Sequence, residues 1–251
     1  MIKVILSGCG GRMGKAVAAA VGDEARIVAG VDVNAASIAA SDFPIYESIT
    51  EFSGKADVIV DFSHHSALPS LLEYAKTTKT PVVVATTGHT DEELALMHEA
   101  TSEIAIFHSG NFSIGINLII NLAKQAARTL GADFDIEIIE KHHNKKLDAP
   151  SGTALMIANA VADERDESEY IYDRHSVRKA REPKEIGIHS VRGGSIVGEH
   201  EVIFAGANEV VSISHSAASR EIFASGALRA AIYLAGKSAG LYSMTDLIEG
   251  K

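Results

Sequence analysis

Short, continuous apolar runs alternate with segments of helical periodicity through the first half of the chain. Five of these runs have the length of buried strands: Ile2–Ser7, Arg26–Asp32, Val58–Asp61, Val82–Ala85 and Ile104–Phe107. Three segments between them carry apolar residues at helical spacing: Met13–Val21, Ala67–Lys76 and Asp91–Ala100. Apolar strands separated by helices predict a parallel sheet that is covered on both faces. We therefore expect an α/β domain with a Rossmann-type, doubly wound parallel sheet.

The second half of the chain changes to strict alternation of polar and apolar residues. Asp135–Glu140 has the pattern of a half-buried strand, and Ala154–Val161 has that of an amphipathic helix. Later elements are predicted at Ile186–Ser190, Glu199–Phe204 and Glu209–His215 as strands and at Arg220–Ala235 as a helix. Short strands in succession indicate an α+β domain with an open mixed sheet. The charged stretch Asp163–Lys184 is expected to be a surface segment or a mobile connection.

A glycine-rich turn, Ser7-Gly8-Cys9-Gly10-Gly11-Arg12-Met13-Gly14, follows the first predicted strand. Gly8 and Gly10 fit the start of the dinucleotide fingerprint G-x-G-x-x-G, but Met13 stands at its last position. The context supports dinucleotide binding more strongly than the motif does, because the turn opens a helix and Asp32 ends the next strand. Such a turn places a pyrophosphate at the helix N-terminus, and the acidic residue accepts from a ribose. The expected cofactor contacts here are Gly8, Gly11, Arg12, Met13, Gly14 and Asp32.

Asp32 also bears on which nicotinamide cofactor is preferred. A carboxylate at this position repels the 2′-phosphate of NADPH and suits the free hydroxyl of NADH. Val33 and Asn34 follow it, so no arginine stands beside Asp32, although Arg12 can turn toward a phosphate. The prediction is that NADH is preferred and NADPH is tolerated.

Later strand ends are expected to line the same crevice, because ligands of such sheets bind beyond the carboxyl ends of the strands. From the loops at 85–89 and 109–113 we expect cofactor contacts by Ala85, Thr87, Ser109 and Phe112. Phe112 has the alternative of packing in the core where the chain leaves the domain. Adjacent His64 and His65 raise the question of a metal, but zinc needs three or four convergent ligands. No metal site is predicted.

The most informative segment is Glu140–Ala154, in which a strand end, a cationic loop and a helix start follow one another. Pro150 disfavours helix before Ser151, which can cap the helix, and Gly152 lets a ligand approach the backbone. Free N–H groups at a helix start bind carboxylate or phosphate, lysine adds charge, and histidine transfers protons near neutral pH. Each feature alone fits a solvated loop. Together they predict a carboxylate-substrate site with a proton donor.

Composition narrows the class of protein. The 251 residues are 46% hydrophobic and carry a net charge of −10, which argues against nucleic acid as the main partner. No apolar run is long enough for a membrane span, and the apolar N-terminus is too short for a signal peptide. Cys9 is the single cysteine, which excludes an internal disulfide. These features favour a cytoplasmic protein with a small-molecule partner and no contact with a membrane.

The chain resembles the 4-hydroxy-tetrahydrodipicolinate reductase (dihydrodipicolinate reductase) family of bacterial lysine and diaminopimelate synthesis. The resemblance covers nearly the whole length, and the central loop is its most specific part. The matching segments are Gly8–Gly14, Asp61-Phe62-Ser63, Ala85-Thr86-Thr87-Gly88, Asn111-Phe112-Ser113, His142–Ala154, Arg192-Gly193-Gly194, Gly198-Glu199-His200 and His215–Gly226. Ala85 departs from the family, which often has glycine there, so the nicotinamide pocket is expected to differ slightly.

The resemblance implies reduction of a dicarboxylate cyclic imine by NAD(P)H, with loss of water. The family's catalytic histidine and lysine fall on His142 and Lys146. Its substrate-carboxylate positions fall on His143, Ser151, Gly152 and Thr153. It implies a discontinuous dinucleotide-binding domain over 1–112 and 220–251, a substrate-binding and oligomerisation domain over 113–219, and a homotetramer.

Two other functions compete with this one. A different nicotinamide-dependent dehydrogenase would need another central loop, for instance with a catalytic cysteine, and Cys9 lies in the glycine turn instead. A nucleotide-sensing protein would keep the glycine turn and Asp32, but it has no need for His142 together with Lys146. Cofactor binding without turnover would distinguish the sensor from the enzyme.

Overall fold

A computed structural model describes residues 1–39 and 41–250, and every structural statement below concerns those residues. The chain forms two compact units, one of Met1–Ile114 with the C-terminal segment from Glu221, the other of Gly115–Arg220. The sequence analysis put these boundaries at 112/113 and 219/220. The functions that it assigned to the two parts stay predictions.

The first unit is a parallel sheet flanked by helices. Its strands are β1 (Ile2–Ser7), β2 (Ala25–Val31), β3 (Ile45–Tyr46), β4 (Val58–Asp61), β5 (Val82–Val84), β6 (Ala105–His108) and β12 (Gly240–Tyr242). Its helices are α1 (Arg12–Ala20), α2 (Leu68–Thr78), α3 (Asp91–Ala100), α6 (Glu221–Leu234) and α7 (Met244–Glu249). The strand order is β12-β6-β5-β4-β1-β2-β3, and all neighbours are parallel. The predicted Rossmann-type, doubly wound sheet is thereby confirmed.

Alternate residues of β1 enter two separate cores. Val4 and Leu6 pack with residues of α1 and α6 on one face of the sheet, whereas Ile5 packs with those of α2 and α3 on the other. All three side chains are fully buried, and burying each contributes about 1.5–3 kcal/mol. The chain moves outward from β1 first through β2 and then through β4, so the strand order reverses beside β1. The carboxyl ends of β1 and β4 are therefore where a ligand is expected to bind.

The second unit has a mixed sheet, as predicted, with helices on one face. Its elements are α4 (Ile114–Leu130), β7 (Asp135–His142), α5 (Gly152–Ala162), β8 (Glu169–Ile171), β9 (Glu185–Arg192), β10 (Gly198–Ala205) and β11 (Val210–Ala217). The order is β11-β10-β7-β9-β8, in which β10 is antiparallel to both neighbours and β9 is parallel to both of its own. Ile136 and Ile138 of β7 meet the buried faces of α4 and α5. This alternation leaves Glu140 and His142 on the helix-covered face of the strand.

Two features of this unit differ from the sequence prediction. Helix α4 was not predicted, although Ile116, Ile119 and Ala123 recur at helical spacing on its buried face. The stretch 163–184 is more than a surface connection, because it contains β8. Its Arg181 also donates to Asp135 Oδ1 at 2.6 Å. No described helix combines the length and the apolar character that crossing a membrane requires.

Candidate dinucleotide and substrate sites

The glycine turn brings β1 and α1 into close contact. Gly8 has φ +77°, and a Cβ on it would lie 2.5 Å from the carbonyl oxygen of Phe62. A Cβ on Gly14 would collide with the Gly8 carbonyl oxygen and would lie 2.7 Å from Cys9 Cα. Only glycine fits these two positions, since one requires the left-handed region and the other has no space for a side chain. The turn therefore keeps the backbone open where a pyrophosphate would sit.

The N-terminus of α1 meets the requirements of a phosphate site. Gly11 is its N-cap residue and makes no side-chain cap, and the first turn holds no acidic residue. The positive end of the helix dipole and its N–H groups are thus not neutralised by the protein's own side chains. A cavity of about 540 Å³ adjoins this turn and is lined by Gly8, Gly11 and Asp32, among others. These residues fit a dinucleotide.

Asp32 is held by the backbone beside that cavity. Its Oδ2 accepts from the Gly10 N–H at 3.0 Å, and its Oδ1 accepts from the Asn34 N–H at 2.9 Å. An ionised carboxylate has about four acceptor positions, so ribose hydroxyls can still donate to it. The side chain is therefore oriented for a ribose without any rearrangement of the turn.

A second cavity of about 540 Å³ lies beyond the ends of β4, β5 and β6. It brings together seven residues singled out from sequence: Gly11, Arg12, Met13, Ala85, Thr87, Ser109 and Phe112. The side chain of Phe112 is buried and packs against Phe107, with ring centroids 5.8 Å apart. Phe112 thus serves the core and lines the cavity as well, so the two alternatives for it are compatible.

Asp61 is a buried residue of this region that the sequence analysis did not assign. It ends β4 and is fully buried. Its Oδ1 accepts from Ser63 Oγ at 2.6 Å, and its Oδ2 accepts from Thr86 Oγ1 at 2.8 Å. Asp61 therefore ties the loop after β4 to the loop after β5. An aspartate at the end of an apolar strand was the signal available in the sequence.

One of the two adjacent histidines, His65, belongs to a hydrogen-bonded group beside this cavity. His65 Nδ1 lies 2.9 Å from the carboxylate of Glu93, and His89 Nε2 donates to the Thr86 carbonyl oxygen at 3.0 Å. The pKa of Glu93 is lowered, first by the hydrogen bond from His65. Among the residues with described positions, no three His, Cys, Asp or Glu side chains are arranged to hold a metal ion.

In the second unit, the end of β7 carries a fully buried carboxylate. Glu140 accepts from Arg192 in a bidentate pair, at 2.6 Å to Oε1 and 2.7 Å to Oε2. Its Oε2 also lies 2.6 Å from His142 Nδ1, and its Oε1 accepts from the Ser151 N–H at 3.1 Å. Burial opposes ionisation of this group, but the hydrogen bonds from Arg192 and His142 prevail and lower its pKa to about 2. Glu140 and Arg192 were not singled out as site residues from sequence.

Ser151 starts α5 as the sequence predicts. Its Oγ accepts from the Ala154 N–H at 3.1 Å, and Gly152 and Thr153 form the first turn. That turn contains no acidic residue. Because Glu140 binds the Ser151 N–H, the helix start is attached to the end of β7. The expected substrate positions Ser151, Gly152 and Thr153 are therefore adjacent to the Glu140–His142 pair.

His200 of β10 extends this polar group. Its Nε2 lies 3.2 Å from Ser151 Oγ, and its ring meets that of His142 edge to face at 5.2 Å. Burial first, and then the nearby His142, lower the pKa of His200 to about 4. His200 is therefore neutral at pH 7 and adds no positive charge beside His142. The sequence predicted this strand and singled out its Gly198-Glu199-His200 segment, but it did not predict the contact of His200 with Ser151 and His142.

The loop after β7 holds the remaining predicted residues. Lys146 is half-buried, and its Nζ lies 2.9 Å from Asp148 Oδ2. Lys145 beside it is exposed. The backbone N–H of Lys146 donates to the His143 carbonyl oxygen at 3.1 Å. In the described part of the chain, His143 Nδ1 is buried and has no hydrogen-bond partner.

A Rossmann-type sheet with an open glycine turn and an acidic residue after the second strand defines a dinucleotide-binding protein. Residues 2–112 match the family model for the N-terminus of dihydrodipicolinate reductase, and residues 115–248 match the model for its C-terminus. The chain therefore belongs to the dihydrodipicolinate reductase family.

Individual relatives agree with this assignment over the full length of the chain. The 4-hydroxy-tetrahydrodipicolinate reductase of Caldanaerobacter subterraneus subsp. tengcongensis is 55% identical over 252 residues, 99% of each chain. That of Clostridium novyi is 51% identical over 254 residues, 100% of each chain. A solved structure, the dipicolinate-bound dihydrodipicolinate reductase from Paenisporosarcina sp. TG-14, has a TM-score of 0.78 at 26% identity, with 97% of each chain covered.

Proposed function

We propose that this chain reduces 4-hydroxy-tetrahydrodipicolinate to tetrahydrodipicolinate in lysine and diaminopimelate synthesis, with NAD(P)H as reductant. One observation carries the proposal: the cationic loop after β7 joins His142, on a buried carboxylate, to a helix start without acidic residues. The relatives that match the whole chain bear the name of this reductase. When bound, the nicotinamide supplies the hydride, and the protein supplies orientation and a proton.

The start of α5 is proposed to bind a substrate carboxylate. Gly152 and Thr153 supply backbone N–H groups there, Ser151 and Thr153 supply hydroxyls, and the helix dipole favours an anion. His143 contributes its unpartnered Nδ1 as a further donor. The dipicolinate bound in the Paenisporosarcina structure is a dicarboxylate, which fits a site with several anion-binding groups.

Lys146 is proposed to donate the proton that completes the reduction, while His142 polarises or protonates nearby. The half-buried position of Lys146, beside exposed Lys145, supports this choice between the two lysines. A positioned proton donor typically accelerates a reaction by ~10²–10⁴-fold. Lys146→Ala should lower kcat by about that factor, whereas Lys145→Ala should not.

The test is NADH oxidation at 340 nm with freshly generated 4-hydroxy-tetrahydrodipicolinate. Wild-type turnover that is lost in Lys146→Ala and kept in Lys145→Ala, with NADH binding intact in all three, supports the reaction and the proton donor. Turnover unchanged in Lys146→Ala removes that lysine from the mechanism. NADH binding without any turnover of the wild type contradicts the proposed reaction and favours a nucleotide-sensing protein.

NADH is proposed as the preferred cofactor and NADPH as a tolerated one. Asp32 is fixed beside the dinucleotide cavity, where its charge repels the 2′-phosphate of NADPH. We expect kcat/KM to be higher with NADH, and Asp32→Ala to reduce the ratio between the cofactors. A large preference of the wild type for NADPH would contradict this reasoning.

The homotetramer stays a proposal that rests on the family. Light scattering after size-exclusion chromatography measures the mass directly, to be compared with the 26.5 kDa of one chain. A mass near that of four chains would support the proposal, and a mass near one or two chains would contradict it.

A further inference from the structure

Glu140 is the most completely bonded carboxylate near the proposed catalytic residues. It is fully buried, and its two oxygens meet four donors: two guanidinium N–H groups of Arg192, the ring of His142 and the Ser151 backbone. Arg192 is fixed in turn, because it also donates to the Asp148 carbonyl oxygen at 2.7 Å. A bidentate arginine–carboxylate pair of this kind defines the orientation of both groups.

These contacts determine which nitrogen of His142 carries a hydrogen. An ionised carboxylate only accepts hydrogen bonds, so the 2.6 Å contact requires a hydrogen on His142 Nδ1. Proton exchange of this ring is then confined to Nε2. Gly198 makes room at that atom, since a Cβ on residue 198 would lie 3.1 Å from Nε2. Nε2 is thus the ring nitrogen that Glu140 leaves for proton exchange with a substrate.

We propose that Glu140 and Arg192 are positioning residues of the reductase, which keep His142 protonated on Nδ1 and direct its proton exchange to Nε2. Glu140 contacts the imidazole, and Arg192 acts through Glu140 by holding both carboxylate oxygens. The proposal rests on the proposed function for its catalytic meaning, because it assumes that His142 takes part in the reduction. The hydrogen-bond geometry itself does not depend on that assumption.

Charges of both signs surround the His142 ring. Glu140 on β7 stabilises the imidazolium, whereas Arg192 on β9 and Lys146 on the loop oppose it. The positive charge of Arg192 is directed to Glu140, and that of Lys146 is paired with Asp148. His200 on β10 is neutral at pH 7 because burial and the nearby His142 lower its pKa to about 4. Burial also lowers the pKa of His215, which pairs with His200 across β10 and β11. Among these charged groups, Glu140 is the one in direct hydrogen-bond contact with the His142 ring.

Replacement of Glu140 by glutamine keeps the shape of the side chain and removes its charge. We expect Glu140→Gln to lower kcat by roughly tenfold or more, though by no more than His142→Ala does. The pH–rate profile should change as well, since the group that contacts His142 Nδ1 no longer carries a charge. KM for the substrate and the Kd for NADH should change little. Arg192→Met should cause the same kind of change, and Arg192→Lys should restore only part of the activity.

The matched control is Glu137→Gln. Glu137 lies on the same strand and also pairs with an arginine and a histidine, Arg174 at 2.7 Å and His189 at 2.7 Å. It stands on the opposite face of β7 from Glu140. Loss of this partly exposed cluster should leave kcat and its pH dependence unchanged, which separates an effect of the site from a general effect of removing a paired carboxylate from β7.

A double-mutant cycle decides whether Glu140 acts through His142. If it does, Glu140→Gln should have no further effect on kcat in the His142→Ala background. Equal losses in both backgrounds would show a structural role and would overturn the proposal. An unchanged pH–rate profile in Glu140→Gln would overturn it as well.

Long-range ¹H–¹⁵N NMR of histidine-labelled protein tests the geometry without any turnover. The His142 signals, identified by their loss in His142→Ala, should show a protonated Nδ1 above and below the titration, with Nε2 as the titrating atom. Glu140→Gln should alter that pattern. A neutral His142 protonated on Nε2 in the wild type would refute the positioning role. The expected NMR pattern in an enzyme without turnover would refute the proposed function alone.

Discussion

The Glu140 carboxylate should make the free energy of unfolding depend on pH, and comparison with Glu140→Gln measures this contribution. Its pKa falls from the ordinary 4.5 to about 2 in the folded chain, because hydrogen bonds from Arg192 and His142 outweigh the effect of burial. A lowered folded-state pKa stabilises the fold above the unfolded-state pKa. That contribution is lost as the pH falls through 4.5 toward 2. In Glu140→Gln this pH-dependent contribution is absent.

The size of the effect follows from the shift. At 1.36 kcal/mol per pKa unit, a shift from 4.5 to about 2 contributes about 3 kcal/mol at pH 7. Linkage reduces this to about 1.4 kcal/mol at pH 3, because the unfolded carboxyl is by then almost fully protonated. The difference in unfolding free energy between the wild type and Glu140→Gln should therefore shrink by roughly 2 kcal/mol between pH 7 and pH 3.

Urea denaturation of both proteins at intervals between pH 7 and pH 3 measures this difference. Other carboxylates titrate in the same range, among them Glu185, whose pKa is also lowered to about 2, first by Arg174. Groups that do not contact Glu140 are common to both proteins and cancel in the difference. The intrinsic cost of removing one partner of Arg192 changes the difference by the same amount at every pH. The slope against pH therefore reports the Glu140 carboxylate together with its contact to His142, and the same comparison in a His142→Ala background measures what the imidazole contributes.

A difference that stays constant from pH 7 to pH 3 would refute the reasoning. It would mean that the carboxyl has the same pKa in the folded and unfolded chains, so that its ion pair with Arg192 does not persist in solution. A difference that grows toward low pH would be a stronger contradiction, because it requires a raised folded-state pKa. Glu137→Gln serves as a comparison, since Glu137 also has a lowered pKa on this strand.

Two further substitutions test the dinucleotide turn and the helix start. Gly14→Ala should weaken NADH binding and lower the melting temperature, because the added Cβ collides with the Gly8 carbonyl oxygen. Isothermal titration calorimetry measures the binding, and differential scanning calorimetry measures the melting temperature. Gly22→Ala is the control, since a Cβ at residue 22 meets nothing within 4 Å. Ser151→Ala should cost about 1 kcal/mol of stability through loss of the cap on α5 and should raise KM for the substrate. An unchanged KM would remove the Ser151 hydroxyl from the substrate site.

The fold of the first unit followed from the sequence because its signals are local. Apolar runs such as Val58–Asp61 are bounded by polar turns, and the observed strand has the same limits. The short β3, Ile45–Tyr46, was missed because two paired residues leave no periodicity to detect. Helix α4 was also missed, although its apolar residues recur at helical spacing and its signal is therefore present in the sequence.

Only part of the candidate substrate site could be predicted from the sequence. The loop that carries His142, Lys146 and Ser151 is contiguous, so its residue types could be read together. Glu140 is two positions from His142, but the arginine that holds Glu140 is distant along the chain. Arg192 lies 52 positions from Glu140 and beyond the strand predicted at Ile186–Ser190, whereas in the structure it ends β9 beside β7. Pairing of strands brought these residues together, and no local pattern contains that information.

The two units use buried carboxylates at strand ends in different ways. Asp61 receives hydroxyl donors from Ser63 and Thr86, which are neutral groups that fix the geometry of two loops. Glu140 instead accepts hydrogen bonds from Arg192 and His142, which are ionisable groups, so its contacts also place charge at the site. This difference matches the chemistry proposed for each unit, because cofactor binding needs loops of fixed shape, whereas proton transfer needs a defined ionisation state. Neutral replacement should therefore affect mainly cofactor binding at Asp61 and mainly the pH dependence of turnover at Glu140.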